Sequence, residues 1–469
     1  MKIKIRYIGI LIAMLFSECL FAQDFNSTMY FMKNTYQSRY TNPAFSPDAK
    51  VYIEFPALSS TYISYSNNSF SKNTLIHMGT GLKADSLVID IPNFFNSIKD
   101  VSVMNQSMEL NLFGLGVRSG DMFFSLRFST HERLSMEIGK DLVGFFYYGN
   151  SRYKGETLTT TGLDIDNQIY NQLALDFSMP YDDKLTIGAG IKVLMGVMNV
   201  NTKTSQVDFY TSNTGDSLNI QTTQLMQVSL PFELEIDSEN NIEDLLTDDI
   251  DVGNIIGTKN MGFGIDLGAT YKMLDDKLLL SASIIDLGYI KWKNNAYLLE
   301  HNGEIAFNGI DFSSEITGSD NAKDPIEEWT DSIIDDMKMV ALNQKYSTML
   351  PTKIYLGGTY QLHKYLNVGF LMRTIFINQK PKMGYTLSAN TSVGNWLGFS
   401  AAYTIGNKTF NNIGLGLSLK GGPLQFHIVT DNILGITSLH TAKNINLRFG
   451  LNLQFGRVKK KVDEETGSI

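Results

Sequence analysis

Apolar and polar residues alternate along several segments of this chain, each about 9 to 14 residues long. In Met122–Thr130, large apolar residues occupy every second position, with serine and arginine between them. Successive side chains of a strand point to opposite faces, so each segment predicts a strand with one apolar and one polar face. The other segments of this kind are Gln172–Met179, Lys184–Val193, Met261–Lys272 and Asn444–Phe455.

Strand length and connection length favour a membrane barrel over a soluble β-sandwich, which also alternates. Strands of soluble proteins usually have about 5 or 6 residues, whereas tilted strands that span a bilayer need about 9 to 11. Short turns and longer links also alternate, as in outer-membrane barrels. The short turns are predicted at 119–121, 181–183, 273–276, 363–365, 393–395 and 421–423. The longer links are predicted near 68–107, 131–167, 200–259, 290–352, 378–383, 405–411 and 432–443.

These connections predict an all-β, membrane-spanning antiparallel barrel of about 14 strands, within a range of 12 to 16, with short helices in its loops. The first strand is expected near Ser59–Asn67. Residues 203–230 form either another hairpin of the wall or an external extension of the neighbouring strands, and we expect the extension. Amphipathic spacing predicts loop helices over 324–342 and Ser135–Tyr147. Trp292 is expected in an aromatic girdle at the membrane interface.

The two ends of the chain differ from the alternating middle. Lys2, Lys4 and Arg6 precede a short apolar run, Tyr7–Phe16, which is typical of a secretory signal peptide cleaved after Ala22. We therefore expect a signal peptide over 1–22, an N-terminal segment over 23–58, the barrel over 59–456 and a polar periplasmic tail over 457–469. The only cysteine, Cys19, lies in the signal, which leaves no thiol chemistry in the mature chain.

Charge and composition limit the function. The formal net charge of −9 argues against nucleic-acid binding, which needs a basic surface. The polar faces of the strands carry charges that are expected to face the lumen, because a lysine or arginine at the bilayer midplane costs about 2–4 kcal/mol. They form either a polar path or plug-docking surface, or a salt-bridge network that fills the interior; we favour the network. These lumen-facing residues are Arg127, Asp176, Lys192, Asp266, Lys272 and Arg448.

No catalytic, metal or cofactor site is predicted. The six histidines show no H-E-x-x-H spacing, and no G-x-S-x-G elbow is present. A dispersed hydrolase site stays open as the least favoured alternative, with His427 and a serine on a neighbouring strand as its nearest candidate. Such a site needs a serine or aspartate within about 3 Å of a histidine.

Several short motifs follow one another in a characteristic order. Asn42-Pro43-Ala44 stands near the mature N-terminus. The later motifs are Phe55-Pro56, Asp286-Leu287-Gly288-Tyr289-Ile290-Lys291-Trp292, Leu350-Pro351-Thr352-Lys353, Gly357-Gly358 and Asp431-Asn432. Together they resemble the barrel proteins of Bacteroidetes in the FadL and PorV neighbourhood, including an uncharacterised family of that phylum.

This resemblance implies an N-terminal hatch folded into the barrel, with Asn42, Pro43 and Ala44 at the hatch or its periplasmic entrance; an ordinary Asn-Pro turn is the alternative. It implies a non-enzymatic outer-membrane protein that binds or passively transports a hydrophobic small molecule. The alternative is a PorV-like scaffold in protein export, with a protein partner at the external loops. Outer-membrane lipid is an expected partner in both cases.

Overall fold

The computed structural model describes residues 26–79, 86–238, 240–244, 252–307, 339–377, 380–394, 396–406 and 409–457. Within them, 14 wall strands form a closed antiparallel barrel. The first wall strand consists of two pieces, β1 (Ala49–Glu54) and β2 (Thr61–Asn67). Both pieces pair with the last strand, β24 (Asn444–Arg457), and with β5 (Val101–Ser119). The ring of hydrogen bonds is therefore continuous, and the predicted fold class is confirmed.

The wall follows chain order from β1 and β2 to β24. Its remaining strands are β6 (Met122–Gly139), β8 (Asp164–Pro180), β9 (Leu185–Thr211), β13 (Asn260–Met273), β14 (Leu278–Trp292), β17 (Tyr346–Met349) with β18 (Lys353–His363), β19 (Leu366–Ile377), β20 (Lys380–Val393), β21 (Leu397–Gly406), β22 (Thr409–Gly421) and β23 (Leu424–Thr430).

The connecting segments contain further short elements. The strands among them are β3 (Ile76–Met78), β4 (Leu87–Ile89), β7 (Thr157–Thr161), β10 (Leu218–Ser229), β11 (Glu235–Ile236), β12 (Ile242–Asp244), β15 (Ala296–Phe307) and β16 (Val340–Asn343). The α-helices are α1 (Ser27–Phe31), α2 (Lys72–Leu75), α3 (Ile91–Ser97), α4 (Lys140–Tyr148), α5 (Val252–Ile256) and α6 (Ile433–Thr437), and 3-10 helices cover Tyr36–Tyr40 and Asn150–Tyr153. No helix among the described residues is long and apolar enough to cross a membrane.

The turn pattern agrees with the prediction. The six short turns lie between strands that pair directly, as the sequence predicts, with Asn395 of the fifth turn outside the described residues. Residues 203–230 do not add a wall hairpin, because β10 pairs with the far part of β9 and with β15. The 27-residue strand β9 thus continues beyond the wall into an outer sheet with β7, β10, β15 and β16. The expected external extension is therefore present.

Side chains alternate between the two faces of the wall as predicted. On β6, Phe124 is 41% exposed, whereas Ser125 and Arg127, which lie on the opposite face of the strand, are buried. The sequence of β14 breaks this rule at Asp286, which has a positive φ of 61° in a register shift against β13. A bulge adds one residue and so reverses which residues face inward beyond it.

Trp292 consequently lies inside the barrel. The prediction that it belongs to an aromatic girdle at the membrane interface is wrong. Its ring is fully buried with Tyr170, Ile290 and Leu350, and its Nε1 donates a hydrogen bond to Thr348 Oγ1 at 2.8 Å. The bulge at Asp286 turns the residue inward, and simple alternation cannot foresee it.

Other boundaries also differ from the predicted ones. The barrel wall begins at Ala49, within the segment assigned to 23–58. The helix expected over Ser135–Tyr147 begins only at Lys140, because residues before it continue β6. Of the helix expected over 324–342, residues 324–338 lie outside the described residues, and Val340–Asn343 form a strand. The signal segment 1–22 and tail residues 458–469 also lie outside the described residues.

Candidate functional site: the plugged lumen

Residues 26–48, here called the plug, lie inside the barrel in the half nearer to the short turns. The plug begins with α1, whose first backbone N–H groups meet a buried carboxylate of the wall. Asp431 accepts hydrogen bonds from Ser27 N at 3.2 Å and from Thr28 N at 2.7 Å. A carboxylate at a helix N-terminus satisfies N–H groups that have no partner within the helix. Asp431 therefore fixes the start of the plug to the wall.

The rest of the plug contacts opposite sides of the wall. Gln37 Nε2 donates hydrogen bonds to Tyr52 Oη at 2.6 Å and to Asn452 Oδ1 at 3.1 Å. Across the lumen, Arg39 Nη1 donates to Ser178 Oγ at 3.1 Å. Tyr30 hydrogen-bonds to Ser281. These contacts reach several different parts of the ring, so the plug crosses the lumen.

Asn42, Pro43 and Ala44 form the turn that carries the plug against β9 and β13. Asn42 Nδ2 donates to the carbonyl oxygens of Ala269 at 3.3 Å and Ala282 at 3.2 Å, and Asn42 Oδ1 accepts from Ala44 N at 2.9 Å. The turn packs on two glycines of the wall. A Cβ placed at Gly188 would lie 2.6 Å from Pro43 O, and one at Gly268 would lie 2.8 Å from Pro43 Cδ.

The absence of a side chain at these glycines thus lets the backbone of the turn approach the wall closely. Other inward glycines also lie directly against plug side chains, namely Gly357, Gly369, Gly398, Gly414 and Gly416.

A buried cluster of two lysines and two aspartates links β9, β13, β14 and β18 above the plug. Lys192 lies 2.7 Å from Asp266 and also pairs with Asp286. Lys353 Nζ lies 2.9 Å from the second carboxylate oxygen of Asp286. The bulge on β14 places Asp286 between the two lysines. Since each charge has an opposite partner, the cluster avoids the large cost of an isolated buried ion.

Arg448 and Arg127 lie on another part of the interior, near the plug. Arg448 is buried, pairs with Glu109 and donates to Ser60 Oγ at 2.8 Å. The guanidinium carbon of Arg127 lies 4.1 Å from the centroid of the Tyr40 ring, a cation–π contact with the plug.

Six charged residues are predicted to face the lumen. Lys192 and Asp266 lie together in the buried cluster, Arg127 and Arg448 lie near the plug, and Asp176 is buried beside Gly190. Lys272 lies apart from the others. It is partly exposed at the short-turn rim and pairs with Asp276 at 3.2 Å.

Adjacent cavities that share border residues lie above the plug toward the long loops. The largest, here called the outer cavity, has a volume of about 690 Å³ and is bordered by Arg133, Gln168 and Pro351. The same three residues border a smaller cavity of about 60 Å³. A third cavity, of about 30 Å³, lies next to that one and reaches Tyr40 of the plug; the residues that border both are Glu109, His131, Asp286 and Lys353. The series therefore runs from the outer end of the lumen to the plug.

The outer cavity has a polar side and an apolar side. Arg133, Asp166 and Asn199 represent its polar side, which faces the lumen. On the other side, Leu287 and Met349 border it, and they are 41% and 59% exposed on the outer face of the wall. The cavity thus touches the wall where the eighth wall strand is interrupted between β17 and β18.

Two of the described histidines bear on the hydrolase alternative. Neither ring nitrogen of His427 has a hydrogen-bond partner there. Ser129 Oγ does lie 2.9 Å from His131 Nε2, but Ser129 is buried and borders none of the cavities above.

Sequence reasoning missed several residues that organise this interior. Asp286, Lys353 and Asp431 occur within the motifs that carry the family resemblance, but alternation assigns them no position. Glu109 lies on β5, outside the alternating segments used for prediction, and Lys33 lies in the N-terminal segment. Only the recurrence of a charge two positions from a motif glycine or proline could have marked the first two.

Residues 43–431 match the model of a family described as a family of unknown function, DUF5723. The chain belongs to DUF5723. The match begins within the Asn42-Pro43-Ala44 turn and ends at Asp431, so it covers nearly the whole wall and the plug-to-wall turn. No curated protein matches this DUF5723 chain.

Several solved barrels have a similar form. The toluene transporter TodX of P. putida is 11% identical, with 89% of this chain and 94% of that chain covered and a TM-score of 0.40. The toluene transporter TbuX of Ralstonia pickettii is 10% identical, with coverages of 94% and 96% and a TM-score of 0.41. A FadL homologue of Pseudomonas aeruginosa is 11% identical, with coverages of 90% and 95% and a TM-score of 0.37.

Proposed function

We propose that this DUF5723 chain is an outer-membrane transport barrel that passes a hydrophobic small molecule bearing a polar group, with the plug as its gate. The observation that carries this proposal is the series of cavities that begins at the outer end of the lumen and stops at the plug. A closed barrel with a lipid-facing apolar surface supports the location in the outer membrane.

The size and lining of the outer cavity support the kind of molecule. A volume of about 690 Å³ lies within the usual range of roughly 300–1,000 Å³ for small-molecule pockets. The apolar border, with Leu350, Pro351 and Phe376, suits a hydrocarbon part. The polar border, with Arg133 and Gln168, suits a polar group. Arg133 pairs with Asp166 at 3.2 Å and Gln168 Nε2 donates to Thr348 Oγ1 at 2.7 Å, so this polar border is held in place before a ligand binds.

The arrangement of the plug supports its role as a gate. It is held by discrete hydrogen bonds that its residues donate to Asp431, Ser178 and Asn452, and it is not itself a strand of the wall. Displacing it leaves the ring of wall strands intact, because β1 begins only at Ala49. In this proposal the plug opens the lumen when its turn, formed by Asn42, Pro43 and Ala44, moves away from β9 and β13.

Uptake into proteoliposomes tests the proposal. We expect the purified full-length protein to admit radiolabelled laurate faster than protein-free liposomes, and to admit glucose little. Asn201→Trp, which fills the outer cavity from its polar side, is expected to lower laurate uptake. Gln221→Trp on the exposed outer sheet is the matched control and leaves uptake unchanged. Equal laurate uptake by all three proteins, or none by any, contradicts the proposal.

A scaffold in protein export is the second candidate, and the outer sheet favours it. Strands β7, β9, β10, β15 and β16 extend beyond the wall and offer a surface that transport does not require. In that case the loss of the outer sheet abolishes partner binding, and the unchanged protein admits laurate no faster than protein-free liposomes. The outcome of the uptake experiment therefore separates the two candidates.

A further inference from the structure

A separate cavity of about 100 Å³ lies between the plug and the wall, at the short-turn end of the lumen. Lys33 and Asn34 border it from the plug, and Thr359, Asn367, Asn390 and Ser392 are among its borders on the wall. One water needs roughly 10–15 Å³ of such space, so the cavity can hold a group of several heavy atoms. We call it the Lys33 pocket.

The charge of the Lys33 pocket is one-sided. Lys33 is the only charged residue among its described borders, and the wall strands contribute hydroxyl, amide and apolar groups but no titratable one. Lys33 Nζ donates a hydrogen bond to Thr359 Oγ1 at 2.8 Å and lies 5.4 Å from the centroid of the Phe45 ring. An ammonium group has three N–H donors, and no described carboxylate lies within ion-pair distance of this one.

Burial of a cation without an opposite charge is unfavourable, and a bound anion would offset that cost. The charged form of Lys33 is disfavoured in these surroundings, because burial lowers the pKa of this lysine to about 7. Hydroxyl and amide groups at the other borders can donate further hydrogen bonds to an oxyanion. A cationic ligand is disfavoured there by the ammonium group itself.

We propose that the Lys33 pocket binds a small oxyanion, a carboxylate or a phosphate group, with Lys33 supplying the charge and the neighbouring hydroxyl and amide groups fixing its orientation. This site lies on the opposite side of the plug from the outer cavity, and its occupancy does not require passage through the lumen. An anion there bridges the plug and four wall strands, β18 to β21.

Calorimetric titration of the full-length protein in detergent tests the proposal, with sodium butyrate and sodium phosphate as separate probes at constant ionic strength. We expect saturable binding of at least one probe near pH 6.5. Lys33→Gln is expected to weaken it about tenfold or more, since a hydrogen bond to a charged group contributes about 1.5–3 kcal/mol. Lys33→Arg retains the charge and is expected to retain binding.

Lys420→Gln is the matched control. Lys420 also lies at the short-turn end, but its Nζ donates to Gln454 Oε1 at 3.0 Å and it does not border the pocket. Binding of butyrate alone identifies a carboxylate site, and binding of phosphate alone identifies a phosphate site. The proposal is overturned if neither probe binds, or if Lys33→Gln binds as tightly as Lys420→Gln while both remain folded. Because binding is measured without transport, this result is independent of the proposed function.

Discussion

Gly188→Ala is expected to displace the plug while leaving the wall folded. The added Cβ would lie 2.6 Å from Pro43 O, whereas ordinary contacts begin at 3.4 Å. Ala44 N and Pro43 C would lie closer still, so the turn at Asn42–Ala44 must move away by more than about 0.8 Å, the difference between these two distances. Excess atoms in a tightly packed contact cost about 1–3 kcal/mol. That amount is comparable to one or two of the hydrogen bonds that hold the plug.

Conductance of single barrels in planar bilayers measures the displacement. We expect Gly188→Ala to open more often, or to a larger conductance, than the unchanged protein. The wall strands stay paired, because Gly188 has an ordinary extended backbone that alanine can adopt. Heat-modifiable mobility in detergent gels checks that the barrel remains folded.

Gly264→Ala provides the matched control. Gly264 also faces inward, on the neighbouring strand β13, but a Cβ there would lie 3.6 Å from its nearest neighbour, Lys192 Cβ. Alanine therefore fits without movement, and the conductance is expected to stay unchanged. If Gly188→Ala and Gly264→Ala conduct alike, close packing at Gly188 does not hold the plug, and the gate must be released elsewhere.

Three further changes test other contacts of the interior. Asp431→Ala removes the acceptor of two buried backbone N–H groups, each worth about 1–3 kcal/mol, and we expect faster proteinase K digestion of the plug. Lys192→Met leaves Asp266 without its cation and is expected to destabilise the barrel by about 3–5 kcal/mol in urea unfolding, whereas Lys272→Met at the exposed rim changes it by less than about 1 kcal/mol. Burial lowers the pKa of Lys33 to about 7 from its ordinary 10.5. Between about pH 7 and pH 10.5, Lys33 is therefore protonated in the undocked plug and neutral in the docked plug. Docking becomes more stable as the pH rises through this range, so proteinase K digestion of the plug is expected to slow. Lys33→Met is expected to lack this pH dependence.

The wall could be predicted from the sequence because its two environments impose a strict period. Lipid outside and polar groups inside make every second residue apolar, and the short turns mark where each pair of strands reverses. The rule describes both Phe124 on β6 and Phe455 on β24, and the bulge on β14 is an exception to it. It also identifies the outer extension of β9, whose residues beyond Asn199 lose the apolar face that lipid requires.

The interior could not be predicted in the same way, because it depends on departures from that period. One inserted residue at Asp286 brings this carboxylate between Lys192 and Lys353 and turns Trp292 inward. Alternation places Lys192 and Asp266 on the inner face correctly, but it carries no information on partners across the lumen. Contacts such as that of Ser27 with Asp431 join opposite ends of the chain and leave no local signal.

The closed ring limits the ways in which the plug can enter the lumen. The plug's first hydrogen bonds are made to Asp431, 404 positions away from Ser27, and the ring is sealed where β1 and β2 meet β24. Contacts so distant in sequence form slowly. A finished wall leaves the N-terminal residues no way in from the side, so once that seam has closed they can enter only through an end of the lumen. A barrel whose wall closes before the plug docks therefore passes through a stage in which the plug does not obstruct its lumen.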